Sequence, residues 1–145
     1  MSLKVLLAAA MLALVVAPAA EASQQKGSAS RRCLADVIYA EARGESRQGQ
    51  VAVAEVVMNR VGKSGFAGSV CGVVRQKGQF APRAHVSEGG AYQVALSVAD
   101  DVLSGRAPKV TNGAMYFHTP AVSPSWSKRF KRTNRIGSHI FYRPH

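Results

Sequence analysis

The stretch Leu34 to Arg60 constrains this chain most, because its second half is apolar on nearly every side. Val51, Ala52, Val53, Ala54, Val56, Val57, Met58 and Val61 leave one polar line, formed by Gln48, Glu55 and Asn59. A helix of that kind is stable when buried at the centre of a domain, not when laid on a surface. Gly44 separates it from a preceding helical pattern over about Arg32 to Arg43, and Ser46 is placed to cap the second helix. In the first pattern Leu34, Val37, Ile38 and position 41 fall on one face at i, i+3, i+4 and i+7. Position 41 is Glu. A carboxylate on a core-facing stripe reaches past the core into water, pairs with a cation such as Arg43 or Arg47, or lines a half-dry cleft. In a half-dry cleft a carboxyl group keeps its proton to higher pH, which suits a general acid. Glu41 is therefore the leading catalytic candidate. The structural alternative is a solvated or charge-paired residue at a frayed helix end.

The rest of the chain supplies shorter elements. Lys63 to Ser69 reads as a Gly-rich loop, and Val70 to Val74 as a short helix or strand. Gln79-Phe80-Ala81 reads as a short strand stopped by Pro82. A third helix is expected from about Ala91 to Ser104, ended by Gly105 and Pro108, with Asp100-Asp101 pointing outward. Ala114 to His118 and His139 to Tyr142 read as strands. Pro120 to Lys128 is a loop carrying the one tryptophan, Trp126. Helices first and short strands after predict an α+β domain with a small antiparallel sheet. Within the polar line of the central helix, Glu55 is expected to reach solvent. Asn59-Arg60 is placed to hydrogen-bond a neighbouring loop. Phe117 and Phe141 are expected in the core.

The amino terminus is read as a separate segment. Met1 to Lys4 is basic, Val5 to Val16 is almost wholly apolar, and Ala20-Glu21-Ala22 is an A-x-A cleavage site. Residues 1–22 are expected to be an export signal, with retention as an anchor as the alternative. Residues 23–32, rich in Ser, Gln and Arg, are expected to be a flexible linker. Residues 33–145 are expected to form one catalytic domain. The destination is then the periplasm, the cell wall or the medium, with no stable membrane insertion after processing and a monomeric chain. Export implies an oxidising compartment. There are two cysteines, Cys33 and Cys71. They are expected either to form one disulfide, contributing roughly 3–4 kcal/mol for a loop of about 38 residues, or to be two buried thiols.

The formal net charge is +11, which calls for an anionic partner or surface. Export argues against nucleic acid and for the polyanions outside a membrane. The run Lys128-Arg129-Phe130-Lys131-Arg132 is either a solvated face or a hold on such a polymer.

Among chemistries, a Ser-His-Asp triad lacks a G-x-S-x-G motif. A metal site at His85, His118 or His139 lacks H-E-x-x-H spacing, so no metal or other cofactor is expected. Acid–base chemistry on a sugar fits better, with Glu41 and Glu45 flanking the helix stop. Phe80, Tyr116, Phe117, Trp126, Phe141 and Tyr142 are available to stack on sugar rings, with the core the favoured place for Phe117 and Phe141.

At these residues a resemblance emerges. The run from Tyr39 through Glu41-Ala42-Arg43-Gly44-Glu45 to Asn59-Arg60-Val61 is similar to the opening of the SleB-type cell wall hydrolases, the spore-cortex-lytic family. Val70-Cys71-Gly72, Gly78-Gln79-Phe80-Ala81-Pro82, Gly113 to His118, Pro124-Ser125-Trp126 and Arg135 to Tyr142 follow in the same order. The resemblance covers about residues 33–143. It implies a lysozyme-like, lytic-transglycosylase-like helical domain with a small antiparallel sheet, acting on peptidoglycan glycan strands. It implies that Glu41 is the catalytic acid/base of a lytic transglycosylase, whose reaction ends in a 1,6-anhydro sugar, with hydrolysis by a muramidase-type glycosidase as the alternative. Glu45, Gln79, Phe80, Tyr116, His118, Trp126, His139 and Tyr142 are the expected substrate-binding set. Unlike many members of the family, this sequence shows no separate wall-binding segment. A catalytically inactive wall-binding module and a nucleic-acid binder are the competing functional readings.

Overall fold

A computed structural model describes residues 18–81 and 85–145. Four α-helices run from Pro18–Ala42 (α1), Arg47–Arg60 (α2), Val70–Arg75 (α3) and Gly89–Leu103 (α4). Three strands follow, Tyr116–His118 (β1), Lys131–Ile136 (β2) and His139–Arg143 (β3), with a single 3-10 turn at Ser125–Lys128. The sheet is antiparallel with order β1-β3-β2.

The apolar helix is central, as its composition requires. Val51, Val53, Ala54 and Val57 of α2 pack among α1, α3 and α4. Ala52 and Val56, on its other side, pack against Ala114, Ile136 and Phe141 of the sheet unit. α2 thus joins two cores, and each fully buried Val stabilises by about 1.5–3 kcal/mol relative to exposure. Ser46 caps α2, its hydroxyl accepting the Gly49 N–H at 3.2 Å. Gly44 adopts φ +86°, a left-handed conformation that ends α1 without a side-chain clash. Cys33 and Cys71 form a disulfide that joins α1 to α3, with Cα atoms 5.3 Å apart.

Several expectations are corrected. Residues 23–32, expected as a flexible linker, are helical and continue α1. This part of the helix is tied down by Arg31, whose Nε and Nη2 donate to the two oxygens of Asp100 at 2.6 and 2.9 Å. The expected export signal spans residues 1–22, of which 1–17 lie outside the described residues. No helix among the described residues is long and apolar enough to cross a membrane. Gln79–Ala81 is turn and loop, not a strand, because the Ala81 N–H goes to a side chain instead of a neighbouring strand. Lys131–Ile136 forms a strand that the sequence pattern does not predict, and its first two residues, Lys131 and Arg132 of the basic run, are exposed.

Glu55 is also corrected. It is 3% exposed instead of facing solvent. Its carboxylate accepts the Val110 N–H at 2.7 Å, the Thr111 N–H at 3.4 Å and the Thr111 hydroxyl at 2.7 Å. Three donors compensate a buried carboxylate for lost water, and they fix the chain where it enters the sheet unit. Asn59 and Arg60 bind that same segment, donating to the carbonyls of Ala114 (2.8 Å) and Met115 (2.6 Å).

Candidate active site

The sheet unit and the helical unit meet at a cleft of about 750 Å³. Glu41, in the last turn of α1, lines it. On one side stands the loop Gly78–Ala81. On the other stand Tyr116, Phe117 and His118 of β1, with Trp126 from the 3-10 turn. Arg60 and His139 also line it.

Glu41 is half-buried. Its Oε1 accepts the Ala81 backbone N–H at 2.8 Å. Among the described residues its second oxygen has no hydrogen-bond partner. The carboxyl group is therefore oriented by one oxygen and offers the other to the cleft. A second tether holds the end of α1 one turn earlier. The Tyr39 hydroxyl oxygen accepts N–H bonds from Ser87 (3.2 Å), Glu88 (3.1 Å) and Arg43 (2.9 Å). Interaction with the Ser87 hydroxyl, against burial and with the help of those donors, holds the phenol down to about 8.

The aromatic wall is built around a buried cation. Arg60 is 4% exposed, and its guanidinium carbon lies 4.9 Å from the Phe66 and Phe80 ring centres and 5.2 Å from that of Tyr116. Burial pulls its pKa down to about 10. Among the described residues its buried Nη1 has no hydrogen-bond partner, so the ring faces are what offset its lost hydration there. Phe80 and Tyr116 belong to opposite walls, and Arg60 draws both toward α2. Trp126 packs on Tyr116 (5.3 Å), His118 (5.7 Å) and Tyr142 (5.5 Å). His139 is 4% exposed and meets Phe117 edge-on at 4.9 Å. Burial lowers its pKa, opposed by the charges of Glu45 and Glu41.

The expected site residues divide clearly. Gln79, Phe80, Tyr116, His118, Trp126 and His139 line the cleft together with Glu41. Tyr142 stands behind it, 8% exposed, accepting or donating a 3.0 Å bond with His118 Nε2 and stacking on that ring. Glu45 does not line the cleft. Its Oε1 accepts the Ser138 N–H at 3.3 Å and the Ser138 hydroxyl, so it anchors the β2–β3 turn. Phe141 is core, as expected, at 0% exposure, whereas Phe117 packs on the core and also lines the cleft. Arg60 was read as a loop-binding residue, and its place among three rings had no signal in the local sequence. Among the described residues no three His, Cys, Asp or Glu side chains stand close enough to hold a metal ion.

Comparison with known proteins agrees with this architecture. The cell wall hydrolase family matches residues 44–142, which begins just after Glu41. The spore cortex-lytic enzyme of Bacillus cereus is 36% identical over 115 residues, covering 74% of this chain and 42% of that protein. The spore cortex-lytic enzyme of Bacillus subtilis is 37% identical over 116 residues, covering 76% and 36%. The chain thus spans well under half the length of these relatives. Among solved structures, the catalytic domain of the Bacillus cereus SleB protein superposes with a TM-score of 0.63 at 27% identity, covering 82% of this chain and 91% of that domain. The catalytic domain of the germination-specific lytic transglycosylase SleB from Bacillus anthracis gives 0.62 at 33% identity, covering 79% and 93%. By sequence over most of its length, and by the helical fold with its three-stranded sheet, this chain belongs to the cell wall hydrolase family.

Proposed function

We propose that this chain is an exported enzyme that cleaves peptidoglycan glycan strands at the bond between N-acetylmuramic acid and N-acetylglucosamine, with Glu41 as the single acid/base. The observation that carries this reading is the state of the two nearby carboxylates. Each uses Oε1 alone for hydrogen bonds among the described residues, but only Glu41 lines the cleft walled by aromatic rings, whereas Glu45 is outside that lining with its Oε1 held by the β2–β3 turn. A mechanism using Glu45 as nucleophile or water base would need that carboxylate released from its turn. A mechanism using an internal nucleophile does not.

In that reaction the Glu41 carboxyl proton passes to the glycosidic oxygen as its bond to muramic C1 breaks. The Glu41 carboxylate then takes the proton of the muramic 6-hydroxyl, whose oxygen bonds to C1. The product is a 1,6-anhydro end, and no water is consumed. Because the attacking hydroxyl belongs to the same sugar, its effective concentration is already high. Stacking of sugar faces on Tyr116 and Trp126 would hold the ring in register with Glu41. The chain acts as a monomer, and it needs no cofactor for these steps.

Clearing of purified sacculi tests the assignment. Wild type is expected to clear them, and Glu41→Gln to lose activity by about 10²–10⁴-fold, the range for removing a general acid. Equal clearing by both proteins would contradict the role of Glu41. No clearing by the wild type, with retained binding to sacculi, would favour an inactive wall-binding module.

A further inference from the structure

Charge is distributed unevenly along this chain. All eight acidic residues occur at or before Asp101, whereas eight of the 19 Lys and Arg residues lie in 102–145. The surface ion pairs use the acids on the helical side. Asp100 pairs with Arg31, Asp101 with Arg47 and Arg106, and Glu88 with Arg43. Among the described residues, the cations of the sheet make no ion pair with a carboxylate.

Strand register places two of them in line with the cleft. Residues directly opposite in an antiparallel pair point to the same face of the sheet. Tyr116 of β1 is opposite Tyr142 of β3, which is opposite Arg132 of β2. His118 is opposite Ile140, which is opposite Arg135. The face that begins with the cleft residues Tyr116 and His118 therefore runs across β3 and ends in two arginines. Two strand spacings make that distance about 10 Å. Both arginines are exposed. Arg135 donates Nε to the Gly137 carbonyl at 3.4 Å, and among the described residues Arg132 has no protein partner.

We propose that Arg132 and Arg135 grip the carboxylates of the peptides that hang from a glycan strand seated in the Glu41 cleft. The proposal rests on the peptidoglycan reading above. A guanidinium fork matches a carboxylate in two parallel hydrogen bonds, and about 10 Å is within reach of a short peptide attached to a sugar ring. The contacts are exposed, so they are screened by salt and act on substrate capture, leaving the chemical step to Glu41.

The test uses soluble glycan strands with peptides attached and the same strands after an amidase has removed the peptides. Wild type and the Arg132→Gln/Arg135→Gln double variant are compared in two assays. Turnover gives KM and kcat, and fluorescence anisotropy of labelled strands with Glu41→Gln proteins gives binding without cleavage. On peptide-bearing strands at low salt the double variant is expected to raise KM and Kd about five-fold, as two exposed ion pairs allow. Its kcat is unchanged, and the difference shrinks as salt rises. On stripped strands the two proteins match. The proposal is overturned if the double variant binds peptide-bearing strands as wild type does, or loses equally on both kinds of strand. It is also overturned if duplex DNA or a phosphodiester wall polymer binds more tightly than peptide-bearing strands through these arginines. Binding that follows the expected pattern without any turnover by wild type would sink the cleavage reading and leave this one standing.

Discussion

Arg60 and His139 are buried side chains on the wall of the same cleft, and among the described residues Arg60 Nη1 and His139 Nδ1 have no hydrogen-bond partner. Arg60 is held by three rings and one carbonyl. Replacing it with Ala would remove the stem that fills this space, the three ring contacts and the donor to Met115. We expect Arg60→Ala to destabilise the protein by about 2–4 kcal/mol, measured by denaturant unfolding. His139 gives a pH signature. Its folded-state pKa lies below the ordinary value of 6.5, so below that pH the unfolded chain binds more protons at this residue than the folded one does. Its contribution is intact above pH 6.5 and is lost as pH falls from there toward the lowered folded value. His139→Phe, which keeps an edge-on ring beside Phe117, is expected to flatten this part of the decline in melting temperature between pH 7 and pH 5. An unchanged slope would show that His139 does not contribute to it. At this scale Glu41 was legible, because a carboxylate on an apolar helical stripe breaks a pattern. The bond of Arg60 to the following segment was legible too, but its three ring contacts and the burial of Glu55 were not. A charged residue on the one polar line of a helix reads as solvent-facing until the segment that buries it is in place.

The β2–β3 hairpin is the element on which the cleft wall depends. Its turn carries Gly137 at φ +55°, and a Cβ there would fall on the Glu45 carboxylate. Gly137→Ala therefore meets both backbone strain and a clash, and should cost about 1–3 kcal/mol in unfolding experiments. Glu45→Gln retains the shape but weakens the acceptor for Ser138, and should cost about 1 kcal/mol. It should leave most of the activity, in contrast with Glu41→Gln. Loss of activity as complete as that of Glu41→Gln would place Glu45 in the chemistry after all. The sequence distinguished these elements unevenly. α2 and α4 follow from apolar spacing, since burial selects those residues directly. β2 was hidden because Lys131-Arg132-Thr133-Asn134-Arg135 is an edge strand, where charge protects an open edge and erases the alternation that marks a strand. The front half of α1 was hidden for a related reason. Its polar residues bury little, and it is the Arg31–Asp100 pair and the disulfide nearby that fix it.

Across the whole molecule, two units meet at the cleft and α2 belongs to the core of both. The Cys33–Cys71 bridge braces the helical unit from which Glu41 projects. Replacing both cysteines with Ser should lower stability by about 3–4 kcal/mol, measured under conditions that keep the wild-type bridge oxidised. A loss below about 1 kcal/mol would mean that the unfolded chain gains little freedom from its removal. The central claim is that Glu41 acts alone on a sugar that supplies its own nucleophile. Mass spectrometry of the muropeptides released from purified sacculi tests it most directly. Wild type should release anhydro-muramic ends, each lighter by one water than a hydrolysed end, and Glu41→Gln should release none. Hydrolysed, reducing muramic ends as the main product, or anhydro ends that persist in Glu41→Gln, would contradict it.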